Sequence, residues 1–336
     1  MRQHRATLAY ALATYSFVLP AFAFKELEYA EWEVFFLTSL PFVGRLFGSL
    51  ETRRLVSKLG TVWTYRVSLA GLAGSSMISS SFTQFGEQLA IRLLVGVLFG
   101  IMTSLAVYEA MEGRSQKGGV MFSGWALGWS LAGTTYLLAG SWSATMLIGG
   151  LVILSLPLFR GENRELEVIQ VTSVSSKGIL VFLLSFVPSF TLSVAPYFLE
   201  INGLPWVWII PSYAMAIPSY YLLPVLADKI GFHRTLMLTV LVAVMSGTLF
   251  FQKLFFMLMP FTFFGLGLNS LAPKIALRYG VDSRNSGVAV NTAGLGGLMY
   301  SMFPSMMGFD GLSDIMDASL ASLLILSSKR VKTKVS

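Results

Sequence analysis

Arg45 lies near the middle of a long apolar run, about 32–56. If that run crosses lipid, a guanidinium at its centre costs about 2.5–3.5 kcal/mol unless it meets a wet cavity or a partner. Thr38, Pro41, Arg45, Gly48, Ser49 and Thr52 recur at intervals suited to one stripe of a helix, while Phe35, Phe36, Leu40, Val43, Phe47 and Leu50 occupy the other faces. The stripe is what a cavity-lining helix needs. Two chemistries fit Arg45: an anchor for an anionic group of a substrate, or a structural arginine satisfied by a carboxylate or by helix carbonyls. A second basic stripe holds Arg92, Gly96, Gly100 and Thr103. It fits substrate contact or proton movement, and it equally fits a tie to a neighbouring helix.

Further polar side chains sit inside apolar runs. Tyr10 and Thr14 are one helical turn apart, as are Ser185, Ser189 and Ser193; Tyr213 and Tyr220 are two turns apart, and Asn291 is followed by Thr292. Serine stripes commonly pack helices closely. A tyrosine hydroxyl or an asparagine at depth wants a partner, so these are candidates for lining a substrate cavity. Trp206 and Trp208 fall near a run's end, where tryptophan anchors at the membrane interface. Carboxylates able to couple protons are few. Glu109, Asp314 and Asp317 are the candidates, with Glu51, and all lie towards run ends. Proton coupling, exchange against a counter-ion and facilitated diffusion all remain open.

Several chemistries are excluded. The chain has no cysteine, so disulfides and thiol catalysis are absent, and its two histidines, His4 and His233, are too few and too far apart for a histidine-built metal site. No metal and no cofactor is expected. An embedded enzyme would need paired aspartates or a Ser–His or His–Glu set at depth, and none is visible. A channel would show rings of charge or a filter loop, and none is visible either.

The elements that must carry these residues are helices in a bilayer. Of 336 residues 54% are hydrophobic and only 12% charged, against roughly 25% charged in soluble domains; mean hydropathy is +0.69. About twelve spans of roughly 20 residues are predicted, at about 6–24, 32–56, 63–82, 88–110, 118–138, 142–159, 178–199, 205–227, 233–251, 254–273, 286–305 and 312–328. The first run, with Arg2 and Arg5 before it and Ala21-Phe22-Ala23 after it, also has the layout of a cleaved signal. Its counterpart in mid-chain favours a retained first span.

Net charge is +7, with a pI near 9.6, yet the basic residues punctuate the runs. They read as topology signals rather than as a nucleic-acid surface. One side receives Arg2, Arg5, Arg53, Arg54, Lys58, Arg66, Arg114, Lys117, Arg160, Arg164, Lys177, Lys229, Arg234, Lys274, Arg278, Arg284 and the tail Lys329, Arg330, Lys332 and Lys334. The other receives Lys25 and Lys253, beside Glu26, Glu28, Glu31 and Glu33. Both termini are therefore expected in the cytoplasm, in a cell-membrane protein, and this requires an even number of spans.

The longest polar segment, from Arg160 to Lys177, divides the chain into expected halves: a six-helix bundle at 1–160, a cytoplasmic linker at 161–177 and a second bundle at 178–336. The halves share short matches. Leu55-Val-Ser-Lys-Leu-Gly60 aligns with Leu226-Ala-Asp-Lys-Ile-Gly231, 171 residues on; Gly119-Val120 with Gly287-Val288, Leu127-Gly128 with Leu295-Gly296, and Pro20 with Pro188, each 168 residues on. Such offsets argue for a duplicated unit.

Pro224-Val-Leu-Ala-Asp-Lys-Ile-Gly-Phe-His-Arg234 resembles the loop motif Gly-x-Leu-Ala-Asp-Arg-x-Gly-Arg-Arg of the major facilitator superfamily, and Arg92-Leu-Leu-Val-Gly96 resembles the Arg-x-x-x-Gly core of its fourth-helix motif. The resemblance extends over the whole chain through span number, central linker and topology. It implies an all-α fold of twelve transmembrane helices in two pseudo-symmetric six-helix bundles. It also implies a loop in which Asp228, Lys229, Gly231 and Arg234 help to latch the cytoplasmic side. Two departures stand out. In the first copy Ser57 replaces the acid and Arg53 the leading glycine, and the fifth span lacks the Gly-Pro step of drug antiporters. The expected function is alternating-access transport of a small organic solute, anionic if Arg45 is its anchor, by a protein that works as a monomer. The alternatives are a proton-coupled exporter of drugs or metabolites and a non-transporting sensor on the same fold.

Overall fold

In lipid every backbone polar group must be satisfied within the chain, which leaves helices or a closed barrel. The computed structural model describes residues 2–111, 121–154, 176–278, 290–291 and 308–328, and among them there is no strand. The helices are α1 (Arg2–Ala23), α2 (Glu31–Ser79), α3 (Phe85–Met111), α4 (Ser123–Ala139), α5 (Trp142–Leu154), α6 (Ser176–Ser185), α7 (Val187–Thr191), α8 (Ala195–Ile201), α9 (Ile209–Met215), α10 (Ser219–Ile230), α11 (Phe232–Phe251), α12 (Leu258–Gly267), α13 (Ala272–Arg278) and α14 (Asp310–Ser328). Among the described residues five stretches are long and apolar enough to cross a membrane: His4–Leu27, Glu31–Ser79, Phe85–Glu109, Ile209–Ile230 and Phe232–Phe251.

One expectation about the spans needs correcting, and one is tightened. The expected spans 32–56 and 63–82 are two helices that meet in a kink at Gly60 (φ 75°, ψ 167°), the two arms of α2. Glycine alone takes that geometry cheaply, so the predicted loop shrinks to a single residue. Spans 178–199, 205–227 and 254–273 are, conversely, broken into short helices and 3-10 turns. Prolines cause much of this. Pro188 and Pro196 sit in the first turns of α7 and α8, and Pro218 caps α10. Each lacks the N–H that a continuous helix requires. The expected linker 161–177 lies almost wholly outside the described residues, as does the eleventh span apart from Val290 and Asn291.

The first half is knitted by close backbone approach. A Cβ on Gly96 or Gly100 of α3 would strike the carbonyls of Pro41 or Arg45, and one on Gly44 or Gly48 of α2 would strike those of Leu93 or Val97. The two glycine pairs interdigitate, so α2 and α3 pack backbone against backbone. The second half repeats one local feature. Gly231 also has positive φ, at 95°. The Thr235 hydroxyl donates to the Gly231 carbonyl (3.1 Å) as the Thr64 hydroxyl does to that of Gly60 (2.8 Å).

Charged and aromatic contacts define the two ends of the bundle. At one end Arg5 pairs with Glu109. At the other lie Lys25, Glu26 and Glu200, beside Phe309, which packs on Phe35 (ring centroids 5.2 Å) and Phe198 (4.8 Å). α1 therefore runs towards the Glu200 end and α14 away from it.

Candidate functional site

Arg45 is 2% exposed. Its Nε donates to Asn291 Oδ1, and its guanidinium lies 4.8 Å from the centroid of Phe99. Facing it is the hydroxyl of Tyr10. Among the described residues no carboxylate pairs with it. Its charge is held by a neutral amide, a hydroxyl and an aromatic face. The α2 backbone positions it: the Gly48 and Gly100 contacts bring α3 close enough for Phe99 to sit beneath the guanidinium.

Asn291 is the hub of this centre. Besides accepting from Arg45, its Oδ1 accepts from the Thr103 hydroxyl (3.0 Å), and its Nδ2 donates to the Ser104 hydroxyl (2.7 Å) and weakly to the Gly100 carbonyl (3.4 Å). A residue of the expected second half is thus fully saturated by two helices of the first. Arg45 and Tyr10 line one small internal cavity with Trp125, Phe186, Ser189, Phe190, Asn269 and Val290, and the space holds about one water molecule. The Asn269 amide donates to Ser189 Oγ (3.0 Å). The centre is therefore shut in this conformation.

The other candidates divide. Thr14 is fully buried and its hydroxyl has no hydrogen-bond partner; Tyr220 is equally buried and its hydroxyl points towards Asn269 without closing a bond. Tyr213 stacks on Trp129 at 4.6 Å and donates to the Leu192 carbonyl (2.7 Å), so its hydroxyl is spent on backbone. Thr38 and Ser49 donate to carbonyls of their own helix, Val34 and Leu46 (both 2.7 Å). Arg92, 1% exposed, lies away from the cavity. It donates to the Leu37 carbonyl (Nε, 3.1 Å) and the Phe17 carbonyl (Nη2, 2.8 Å), over the rings of Phe17 and Phe24. It ties α3 to α1 and α2.

Among the carboxylates, Glu109 accepts from Arg5 through both oxygens and from the Tyr65 hydroxyl (3.2 Å). Asp314 and Asp317 lie on the exposed face of α14, and Glu51 is exposed beside Arg54 (3.8 Å). In the loop motif Asp228 pairs with Lys274, whose ammonium also donates to the Pro224 carbonyl (3.0 Å). Lys229 and Arg234 are exposed, and Gly231 makes the turn. The Asp228 contact lies within the second half, between α10 and α13. Thr292 lies outside the described residues.

Sequence reasoning passed over Asn269, Trp125, Phe186 and Phe190. Asn269 carried the same signal as Asn291, a carboxamide deep in an apolar run. The aromatic residues had no such mark, because 26 phenylalanines make any one of them indistinct. Glu200 was also missed: it ends an apolar run and reads as an ordinary interfacial acid.

No model of a known protein family matches the sequence, and no curated protein does. Among solved structures the chain resembles the human organic anion transporter MFSD10 (TETRAN), with a TM-score of 0.64 at 14% identity, over 96% of this chain and 98% of that one. At that identity the likeness establishes the fold. The described residues are helical and share the fold of that transporter, with five stretches among them long and apolar enough to cross a membrane.

Proposed function

From that shared frame we propose that the chain is a carrier for a small organic anion, working by alternating access between bundles at 1–160 and 178–336. Arg45 carries the reading. A buried guanidinium that no carboxylate pairs with among the described residues has its charge uncompensated, so an anionic group entering the cavity supplies a counter-charge. Asn291, which arrives from the opposite half, can exchange its bond to Arg45 for one to the solute. That exchange links occupancy to the relative position of the halves. Electrostatic recognition and aromatic walls together suit an organic anion better than an inorganic one. The structural neighbour is itself an organic anion transporter.

The further parts of the proposal are a cell-membrane location, cytoplasmic termini, a monomer, and coupling to a proton or counter-ion. The tightness of the cavity favours one competing reading, a sensor that binds without turnover. Counterflow of radiolabelled organic anions in proteoliposomes separates them, since a carrier exchanges label across the bilayer and a sensor does not. A thermal-shift screen of purified protein against metabolite anions supplies the probe. The expected result is a hit that is lost in Arg45→Ala and kept in Lys253→Ala, whose lysine is exposed at the far end of α11. Hits confined to neutral or cationic solutes, indifferent to Arg45, would remove the anion site.

A further inference from the structure

At the end of the bundle opposite the Arg5–Glu109 pair, the two halves meet through charged groups that Arg45 and its cavity do not explain. Glu200, from α8, has a side chain 18% exposed and lies 3.8 Å from the Lys25 ammonium; it accepts from the Tyr136 hydroxyl at 3.4 Å. Lys25 and Tyr136 belong to the first half. So does Glu26, whose second oxygen accepts from the Trp142 backbone N–H and whose carboxylate faces Tyr136 beside Glu200. Glu31 and Tyr197 lie near the same contact. The contact therefore sets the Glu200 carboxylate against the Lys25 ammonium with a second carboxylate, Glu26, close by, in a place from which water has been partly removed.

We propose that Glu200 is a proton-binding site that governs closure of this end of the carrier: the closed interface takes up a proton, and loss of that proton opens it. The inference rests on the two-bundle carrier reading above.

The direction follows from electrostatics. In the closed form burial pushes the Glu200 carboxyl above the usual glutamate value; Lys25 and Tyr136 pull it down, Glu26 pushes it up, and the net shift is upward. Once the halves part, Glu200 regains water and loses Glu26, so its affinity for a proton returns towards that of a free glutamate. The closed form binds the proton more tightly, and by linkage acid favours closure. This stabilisation is complete below the open-form pKa and is lost as pH rises through the closed-form pKa. A proton taken from the compartment facing this end then closes the end behind it, as a proton-driven uptake cycle requires.

The chain's freedom from cysteine makes the test direct. Gln84→Cys and Gln252→Cys place labels in exposed loops of opposite halves at this end. The spin–spin distance between them is measured in nanodiscs between pH 8 and pH 5. The expected result is a growing short-distance population as pH falls. Glu200→Gln should hold the short population at every pH. Glu26→Gln should move the midpoint to lower pH by removing a like charge, and Lys25→Met should move it higher. Three outcomes overturn the proposal: opening on acidification, no response to pH while two populations are present, or a pH response that survives in Glu200→Gln. In those cases the carrier reading stands as long as two populations are seen and counterflow persists. A single distance in every variant, with no counterflow, removes both.

Discussion

Arg45 and Arg92 present the same residue type at comparable burial with different environments. Arg92 donates to two helix carbonyls of its own half and lies against rings, with Nη1 buried and unbonded among the described residues. Arg45 is held by a side-chain amide from the other half, by the Tyr10 hydroxyl and by the face of Phe99. Charge-assisted hydrogen bonds in buried sites are worth about 1.5–3 kcal/mol, so removing the Arg45 fork should lower anion counterflow by roughly 10- to 100-fold. Arg45→Lys keeps the charge and loses the planar fork, and it should recover only part of the rate. Arg92→Ala should act differently, lowering the Tm in detergent by a loss of about 1–3 kcal/mol, while the ranking of substrates in counterflow among the surviving protein stays unchanged. A change in that ranking would place Arg92 in the site after all.

The helices divide into rigid and jointed ones. α2 and α3 are locked by the glycine pairs Gly44/Gly48 and Gly96/Gly100, where any Cβ meets backbone. Overpacking a rigid contact costs about 1–3 kcal/mol. Gly48→Ala and Gly100→Ala should therefore lower the Tm and also loosen Phe99 from Arg45. Gly74→Ala, where a Cβ meets nothing within 4 Å, should raise stability by up to about 1 kcal/mol through helix propensity. Gly60 and Gly231 hold positive φ with extended ψ (75°/167° and 95°/140°), a region open essentially to glycine alone. Alanine at either site should cost about 1–3 kcal/mol from backbone conformation alone. Chemical unfolding of the variants in matched detergent checks all of these. The helices of the second half are jointed by Pro188, Pro196 and Pro218, which leaves short rods on one side of the interface against long ones on the other.

On the scale of the molecule, the described contacts between the halves concentrate at the Glu200 end and around Asn291. Phe35 with Phe309, Trp129 with Tyr213 and Phe42 with Phe190 add aromatic contacts along the same seam (5.2, 4.6 and 5.2 Å). If transport requires this seam to part, a short bifunctional thiosulfonate across Phe35→Cys and Phe309→Cys should abolish counterflow, and reductant should restore it. Persistent counterflow in the cross-linked protein would show that the seam stays shut throughout the cycle.

The apolar helical character, the polar stripe of Arg45 and the matching segments that end at Gly60 and Gly231 were legible in the residues. They depend on local quantities: transfer free energy, helical periodicity and backbone freedom. Tertiary structure decided which polar residues share a site. Asn291 reaches Arg45 across 246 residues of chain, and Glu200 reaches Lys25 across 175. Thr38 and Ser49, on the same stripe as Arg45, turn back to their own helix. Whether a buried hydroxyl or amide meets a distant partner or a carbonyl one turn away depends on how helices cross, and no local pattern records that. The broken spans have the same cause: apolar length predicts a segment that can cross lipid, while proline placement and the neighbours that reclaim its lost hydrogen bonds decide where the helix stops.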